Sequence, residues 1–184
     1  MVSSSFDHDD PVYCCAMAGG LIAARDKANK LIVRSLATGA VAHTFDHDDL
    51  VYGCACLLAA GDSSNKLVVR SLETGAVAHT FVHDGAVLCC AMAGGLIAAG
   101  DAANKLIVRS LATGAVAHTF DHDDLIRCCA MAGGLIAAGD EANKLIVRNL
   151  ETGAVVHMFD HDGIGSCAAR WRGACSRPAT AQTS

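Results

Sequence analysis

The chain has 184 residues, enough for one domain with its own core, and 52% of them are hydrophobic at a formal net charge of −5. The acidic balance argues against a general affinity for nucleic acid, and no stretch approaches the roughly 20 apolar residues that span a bilayer. Met1-Val-Ser-Ser-Ser has neither the basic nor the apolar region of a secretory signal; a cytoplasmic location is expected, or a nuclear one.

Residues 1–7 end in Phe6-Asp7, which matches the end of later segments at Phe45-Asp46 and Phe120-Asp121. They are expected to form an N-terminal strand or arm. A Phe-x-His signature then recurs at Phe6/His8, Phe45/His47, Phe81/His83, Phe120/His122 and Phe159/His161, with steps of 39, 36, 39 and 39 residues between histidines. The run from Asn29 to Leu50 returns letter for letter from Asn104 to Leu125. Fixed periods of this size indicate a solenoid or a propeller. The units run 8–46, 47–82, 83–121 and 122–160. The short step falls at a Met-Ala-Gly-Gly turn, where length varies most cheaply.

The third unit shows the pattern in chain order. Ala86–Ala91 is apolar and ends near the Gly94-Gly95 turn; Leu96–Ala99 follows, then a polar Gly100–Asn104 turn. Leu106–Leu111 is rich in β-branched and aliphatic residues, and Thr113-Gly114 closes a hairpin onto Ala115–Phe120. These segments predict four strands of about five residues each. Helix is disfavoured, because apolar runs this short and bounded by Gly cannot hold one. Apolar residues at nearly every position predict strands covered on both faces. Arg25 stands where the other units have Gly61, Gly100 and Gly139; if that glycine needs positive φ, the first unit is strained. A fifth unit opens at His161 and loses the pattern after about residue 167, so residues 168–184, with Trp171 between Arg170 and Arg172, are expected to be irregular or disordered.

The ten cysteines include the adjacent pairs Cys14-Cys15, Cys89-Cys90 and Cys128-Cys129, with Cys54 and Cys56 in the short unit. Neighbours on a strand point to opposite faces and cannot share one ion, and the C-x2-C spacing of zinc modules is absent. Reduced, packed core thiols are the favoured reading, and a ring of thiols around a central axis the other. Cys167 and Cys175 lie in a different context.

The unit, with this spacing of His, strands and Thr-Gly hairpin, resembles a WD-repeat β-propeller blade over residues 6 to about 167. In that family a His precedes the first strand, a Gly-Ser-x-Asp turn follows the second, and the third ends in Trp-Asp before a Thr-Gly hairpin. The resemblance implies an all-β propeller of four-stranded antiparallel blades, four full and a fifth partial. It assigns per-blade structural roles to His47, His83, His122 and His161. The family's Trp position holds Arg34, Arg70, Arg109 and Arg148, its strand serine is Ala24, Ala60, Ala99 and Ala138, and its turn Asp is Ala28, Ser64, Ala103 and Ala142. The family's tetrad therefore cannot form as such. Each Arg is expected to pair with the Asp two residues earlier in the turn (Asp26, Asp62, Asp101, Asp140) or with the loop Asp beside the His. Four and a half units leave three outcomes: a small closed ring, an incomplete arc, or two chains completing one propeller, and a homo-oligomer is a real expectation.

In such a blade the inter-blade loops and second-to-third turns share one end. All of the chain's 19 carboxylates except Glu73 and Glu151 are assigned there, softened by Lys30, Lys66, Lys105 and Lys144. Asp48, Asp49, Asp84, Asp101, Asp123, Asp124 and Asp140 are therefore candidate residues of an acidic binding face for a basic protein or peptide. The repeated Asp-His-Asp also suits metal or acid–base chemistry, but a motif that recurs in every unit points to structure, with the His bonding a turn. His43, His79, His118 and His157 on the outer strand are expected to face solvent. No cofactor, metal, nucleic-acid or membrane partner is expected, and no catalytic residue is assigned. The alternative readings are a cofactor- or metal-dependent propeller enzyme of quinoprotein-like type, which a single Trp speaks against, and a self-assembling propeller fragment with no independent partner.

Overall fold

The computed structural model describes residues 12–18, 20–26, 30–46, 51–55, 59–71 and 74–160. Each unit forms one antiparallel sheet whose four strands follow chain order. The first holds β1 (Val12–Ala18), β2 (Leu21–Asp26), β3 (Lys30–Ser35) and β4 (Val41–Asp46). The second holds β5 (Val51–Ala55), β6 (Ala59–Asp62), β7 (Lys66–Arg70) and β8 (Val77–Val82). The third holds β9 (Val87–Ala93), β10 (Leu96–Asp101), β11 (Lys105–Ser110) and β12 (Val116–Asp121). The fourth holds β13 (Ile126–Ala132), β14 (Leu135–Asp140), β15 (Lys144–Asn149) and β16 (Val155–Asp160). Predicted segments and observed strands agree within about two residues at each end. The N-terminal arm, His47, Asp48, Asp49, Cys56, His161, Cys167, Cys175 and the predicted tail lie outside the described residues.

Turn chemistry closes each sheet as the composition requires. Gly94 and Gly95 adopt φ of 58° and 76°, and the Thr-Gly hairpin glycine Gly114 adopts 74°, values suited to tight hairpins. The second-to-third turn instead uses Asn104 at φ 65°; Asn is one of the few residues that tolerate the left-handed region.

The sheets stack side by side along their first strands, β1 against β5, β5 against β9 and β9 against β13. Second strands are therefore sandwiched, and β10 is buried from Ile97 to Asp101. The core sits in the seams between sheets: Ile97 and Ala99 pack with Leu67 and Val69, and Ile126 and Ile136 pack with Leu106 and Val108. Each fully buried Ile contributes roughly 1.5–3 kcal/mol.

The seam also explains the glycine that stands in register with Arg25 of the first unit, and answers whether it needs positive φ. Gly61 and Gly100 are not in the left-handed region. A Cβ on Gly61 would lie 2.3 Å from Cγ1 of Val87, and one on Gly100 would lie 2.6 Å from Cγ2 of Ile126. Close approach of the neighbouring sheet, not backbone conformation, demands glycine there.

Candidate functional site

The repeated histidine does bond a turn. Nδ1 of His83 donates to Oδ2 of Asp101 at 3.1 Å, and His122 makes the same bond to Asp140 at 3.2 Å; all four side chains are 0% exposed. The other oxygen of Asp101 accepts from the backbone N–H of Ala103 at 3.0 Å and of Lys105 at 2.9 Å. Asp140 and Asp62 hold Lys144 and Lys66 the same way, each at 2.9 Å. A bulge in the β9–β10 ladder falls between Gly100 and Asp101, re-aiming the carboxylate into the turn. Two corrections follow. Asp101 and Asp140 are buried structural groups, not members of a binding face. The His–carboxylate contact survives, made by an Asp two positions before the place the resemblance gives it. Nε2 of His83 and of His122 is buried without a hydrogen-bond partner.

With Asp101 and Asp140 committed to histidine, Arg70, Arg109 and Arg148 form none of the expected carboxylate pairs among the described residues. Arg70, Arg109 and Arg148 instead lie over Phe45, Phe81 and Phe120 of the preceding sheet, 4.4, 4.7 and 4.6 Å from the ring centroids. Each arginine sits at a bulge between the third and fourth strands, and Nη1 donates to the hairpin carbonyl of Gly75, Gly114 or Gly153 at 3.3–3.4 Å. A planar guanidinium on an aromatic face is a cation–π contact worth about 0.5–2 kcal/mol. Their Nε atoms remain buried and unbonded.

The outer histidines are corrected as well. His79 stacks on Phe81 with centroids 5.3 Å apart, and its Nε2 donates across the seam to the carbonyl of Leu111 at 2.8 Å. His118 stacks on Phe120 at 5.4 Å and donates to Leu150 at 2.7 Å. Only at the last sheet is the histidine exposed: His157 has no sheet beyond it among the described residues.

The cysteines of β9 split between two seams, as strand geometry requires. Cys89 donates to the carbonyl of Ile126 at 3.7 Å, and Cys90 to that of Ala59 at 3.9 Å. Cys129 is hydrogen-bonded to Cys89, and that contact together with burial pushes its thiol well above the ordinary range. Cys89 and Cys129 keep free thiols, whereas Cys128 is disulfide-bonded, which differs from the expectation of reduced core thiols throughout.

At the loop end, Lys105 donates to Asp84 at 2.6 Å, Lys144 pairs with Asp123, and Arg127 meets Glu141 at 3.0 Å. Asp84 and Asp123 are each held below the usual carboxylate range by their lysine. The two lysine pairs tie the inter-unit loop residues Asp84 and Asp123 to the ends of second-to-third turns, so both sets share one end. Asp124 is half-buried and accepts from the N–H of Leu125 at 2.8 Å. The other end is tied together by the N–H of Leu111 donating to Gly95 at 2.8 Å. A cavity of about 560 Å³ opens there between the third and fourth sheets, lined by Leu96, Gly94, Gly134, Asn149, Leu150 and Glu151. Among the described residues, no three His, Cys, Asp or Glu side chains converge as a metal site requires, and no helix is long and apolar enough to cross a membrane.

The sequence matches no family model and no curated protein. Solved structures do match. U3-55K superposes with a TM-score of 0.76 at 17% identity, over 86% of this chain and 54% of that one. The RRP9 WD40 repeats give 0.74 at 16% identity, over 84% of this chain and 52% of that one. The fold is that of a WD40-like β-propeller. Its blades also resemble the computationally designed Ika4 protein, with a TM-score of 0.70 at 16% identity over 79% of this chain and 95% of that one. The chain thus spans about half the length of U3-55K and of RRP9.

Sequence reasoning missed the arginine–phenylalanine stack, the bond from outer histidine to carbonyl, and the cavity between blades three and four. The first two had a signal. Arg, Leu, Thr-Gly, His and Phe recur together in every full unit, and co-recurrence of this kind fits side chains that meet at each seam. For the cavity the sequence offered only small residues at the turns.

Proposed function

We propose that the chain is a non-catalytic protein-interaction scaffold whose loop face receives a basic protein or peptide. The observation that carries this reading is the recurrence of exposed loop carboxylates at one end. Asp84 and Asp123 hold the same place one repeat apart, with side chains 70% and 65% exposed. Each already holds one lysine, which an incoming arginine fork can displace with better geometry. Opposite charge of this kind orients and speeds encounter more than it tightens the complex. Non-catalytic function is supported by the His–Asp pairs, whose complete burial leaves no path for a substrate to the titratable atoms. A cytoplasmic location belongs to the same reading and rests on the sequence alone.

The test is titration of a labelled arginine-rich peptide, with an acidic peptide of equal length as control. Selective binding that weakens with salt, and by several-fold in the Asp84→Asn/Asp123→Asn double variant, is expected. Equal binding of the two peptides would overturn the acidic face as the site.

A further inference from the structure

The cavity between blades three and four carries a carboxylate with no counter-charge. At the loop end Asp84, Asp123 and Glu141 are held by Lys105, Lys144 and Arg127. Glu151 lines the cavity at the opposite end, is exposed, and joins no ion pair among the described residues. Its backbone is fixed. Oδ1 of Asn149 accepts from the N–H of Glu151 at 2.8 Å and from the N–H of Thr152 at 2.9 Å. With Oδ1 engaged in its own hairpin, the NH2 group of Asn149 is the polar group that this side chain offers to the cavity. Leu96 and Leu150 form the apolar wall, and both pack against the core of that seam. The glycine turns add no bulk: a Cβ on Gly94, Gly133 or Gly134 would meet nothing within 4 Å. The volume, about 560 Å³, falls within the roughly 300–1,000 Å³ of small-ligand sites.

This combination occurs once in the four full units. Blades one and three have Ser35 with Ala37 and Ser110 with Ala112 where blade four has Asn149 with Glu151; blade two has Ser71 with Glu73. Oγ of Ser110 accepts from the N–H of Thr113, at 3.4 Å. Unit two also lacks three residues at its Met-Ala-Gly-Gly turn, so the paired Gly-Gly walls are not repeated between blades two and three.

We propose that this cavity takes one arginine residue of a peptide chain. Three groups of the site specify it. Glu151 requires a cation, and a guanidinium fork can engage both carboxylate oxygens where an ammonium presents a point charge. The NH2 group of Asn149 requires an acceptor, which a cation lacks and the residue's own carbonyl supplies. Between the two, the aliphatic stem lies along Leu96 and Leu150. An anion would meet the charge of Glu151, and a wholly apolar ligand would cover Glu151 and Asn149 without pairing them. The site lies at the opposite end from Asp84 and Asp123 and does not rest on the loop-face reading.

The experiment uses the full chain, isotope-labelled, and N-acetyl-arginine-N-methylamide as probe. Amide shifts are followed by NMR as the probe is added to about millimolar concentration. Saturable shifts are expected at Gly94, Gly133, Gly134 and Glu151. The citrulline counterpart, which has the same shape without the charge, is expected to bind about tenfold more weakly. Glu151→Gln changes an exposed side chain, so the β circular-dichroism signal is kept. It is expected to weaken the arginine probe about tenfold and to remove its advantage over citrulline. Absence of saturable shifts would overturn the proposal, and so would equal binding of the two probes to the unaltered chain. A lysine probe that binds as tightly as arginine would overturn the choice of a guanidinium. The Asp84→Asn/Asp123→Asn double variant leaves the cavity shifts unchanged. Shifts confined to Asp84 and Asp123 would sink the cavity site while sparing the loop face, so the two readings fail separately.

Discussion

The outer strands of blades three and four have nearly the same sequence, Val116-Ala-His-Thr-Phe-Asp and Val155-Val-His-Met-Phe-Asp, yet different surroundings. Phe120 is covered by Arg148 and its neighbour His118 bonds Leu150; Phe159 and His157 of blade four are exposed. Burial in this molecule is therefore a property of the seam. A repeat unit folds its own four strands, but its third- and fourth-strand side chains gain their energy only from a neighbour, as nearest-neighbour stabilisation in repeat arrays requires.

Truncating both rings separates the two environments most clearly. Phe120→Ala should cost about 3–4 kcal/mol in urea unfolding, and Phe159→Ala under about 1 kcal/mol at concentrations where the chain is single. Equal losses would mean that the last blade is supported in some other way. Next in size is Gly100→Ala, whose Cβ would meet Ile126 at 2.6 Å and Sγ of Cys89 at 2.8 Å; a loss of about 2 kcal/mol is expected. Arg109→Leu tests the stack itself and should lower stability by about 1 kcal/mol; a gain would dismiss the contact with Phe81 as a stabilising one.

A change in the opposite direction is expected from Ala99→Ser. With the Nδ1 proton given to Asp101, Nε2 of His83 is left as a buried acceptor without a donor. The resemblance places a serine hydroxyl at position 99, and supplying it should raise the unfolding free energy by about 1 kcal/mol; no rise in melting temperature would show that the hydroxyl does not reach the ring. The smallest effect is on pH. Asp84 titrates below its ordinary value of 3.8 because of Lys105, so its contribution is complete above that value and fades as pH falls toward the depressed one. Both partners are exposed, and Asp84→Asn should flatten the acid limb of a stability–pH curve only slightly.

Much of the fold was legible because its signals are local. Short apolar segments, Gly94-Gly95, Thr113-Gly114 and the 39-residue step all act within one unit. The site was less legible because its contacts are not local. Asp101 reads as one more loop carboxylate until the bulge after Gly100 turns it toward His83, and sorting charges by loop ignores where a side chain points. Arg109 was expected to seek a carboxylate because charge is visible in sequence; its partner Phe81 belongs to the previous repeat. Within its own unit Gly100 suggests only the question of positive φ, whereas the cause is Ile126 in the next blade.

The letter-for-letter identity of Asn29–Leu50 and Asn104–Leu125 has a consequence for how the chain reaches this state. Two interchangeable hairpins compete for the same docking partners during refolding, and a wrong order of neighbours is energetically close to the right one. Such degeneracy produces slow phases and trapped, misassembled species in repeat proteins. Synthesis from the N-terminus relieves it, since each strand pair emerges when only its proper predecessor is available.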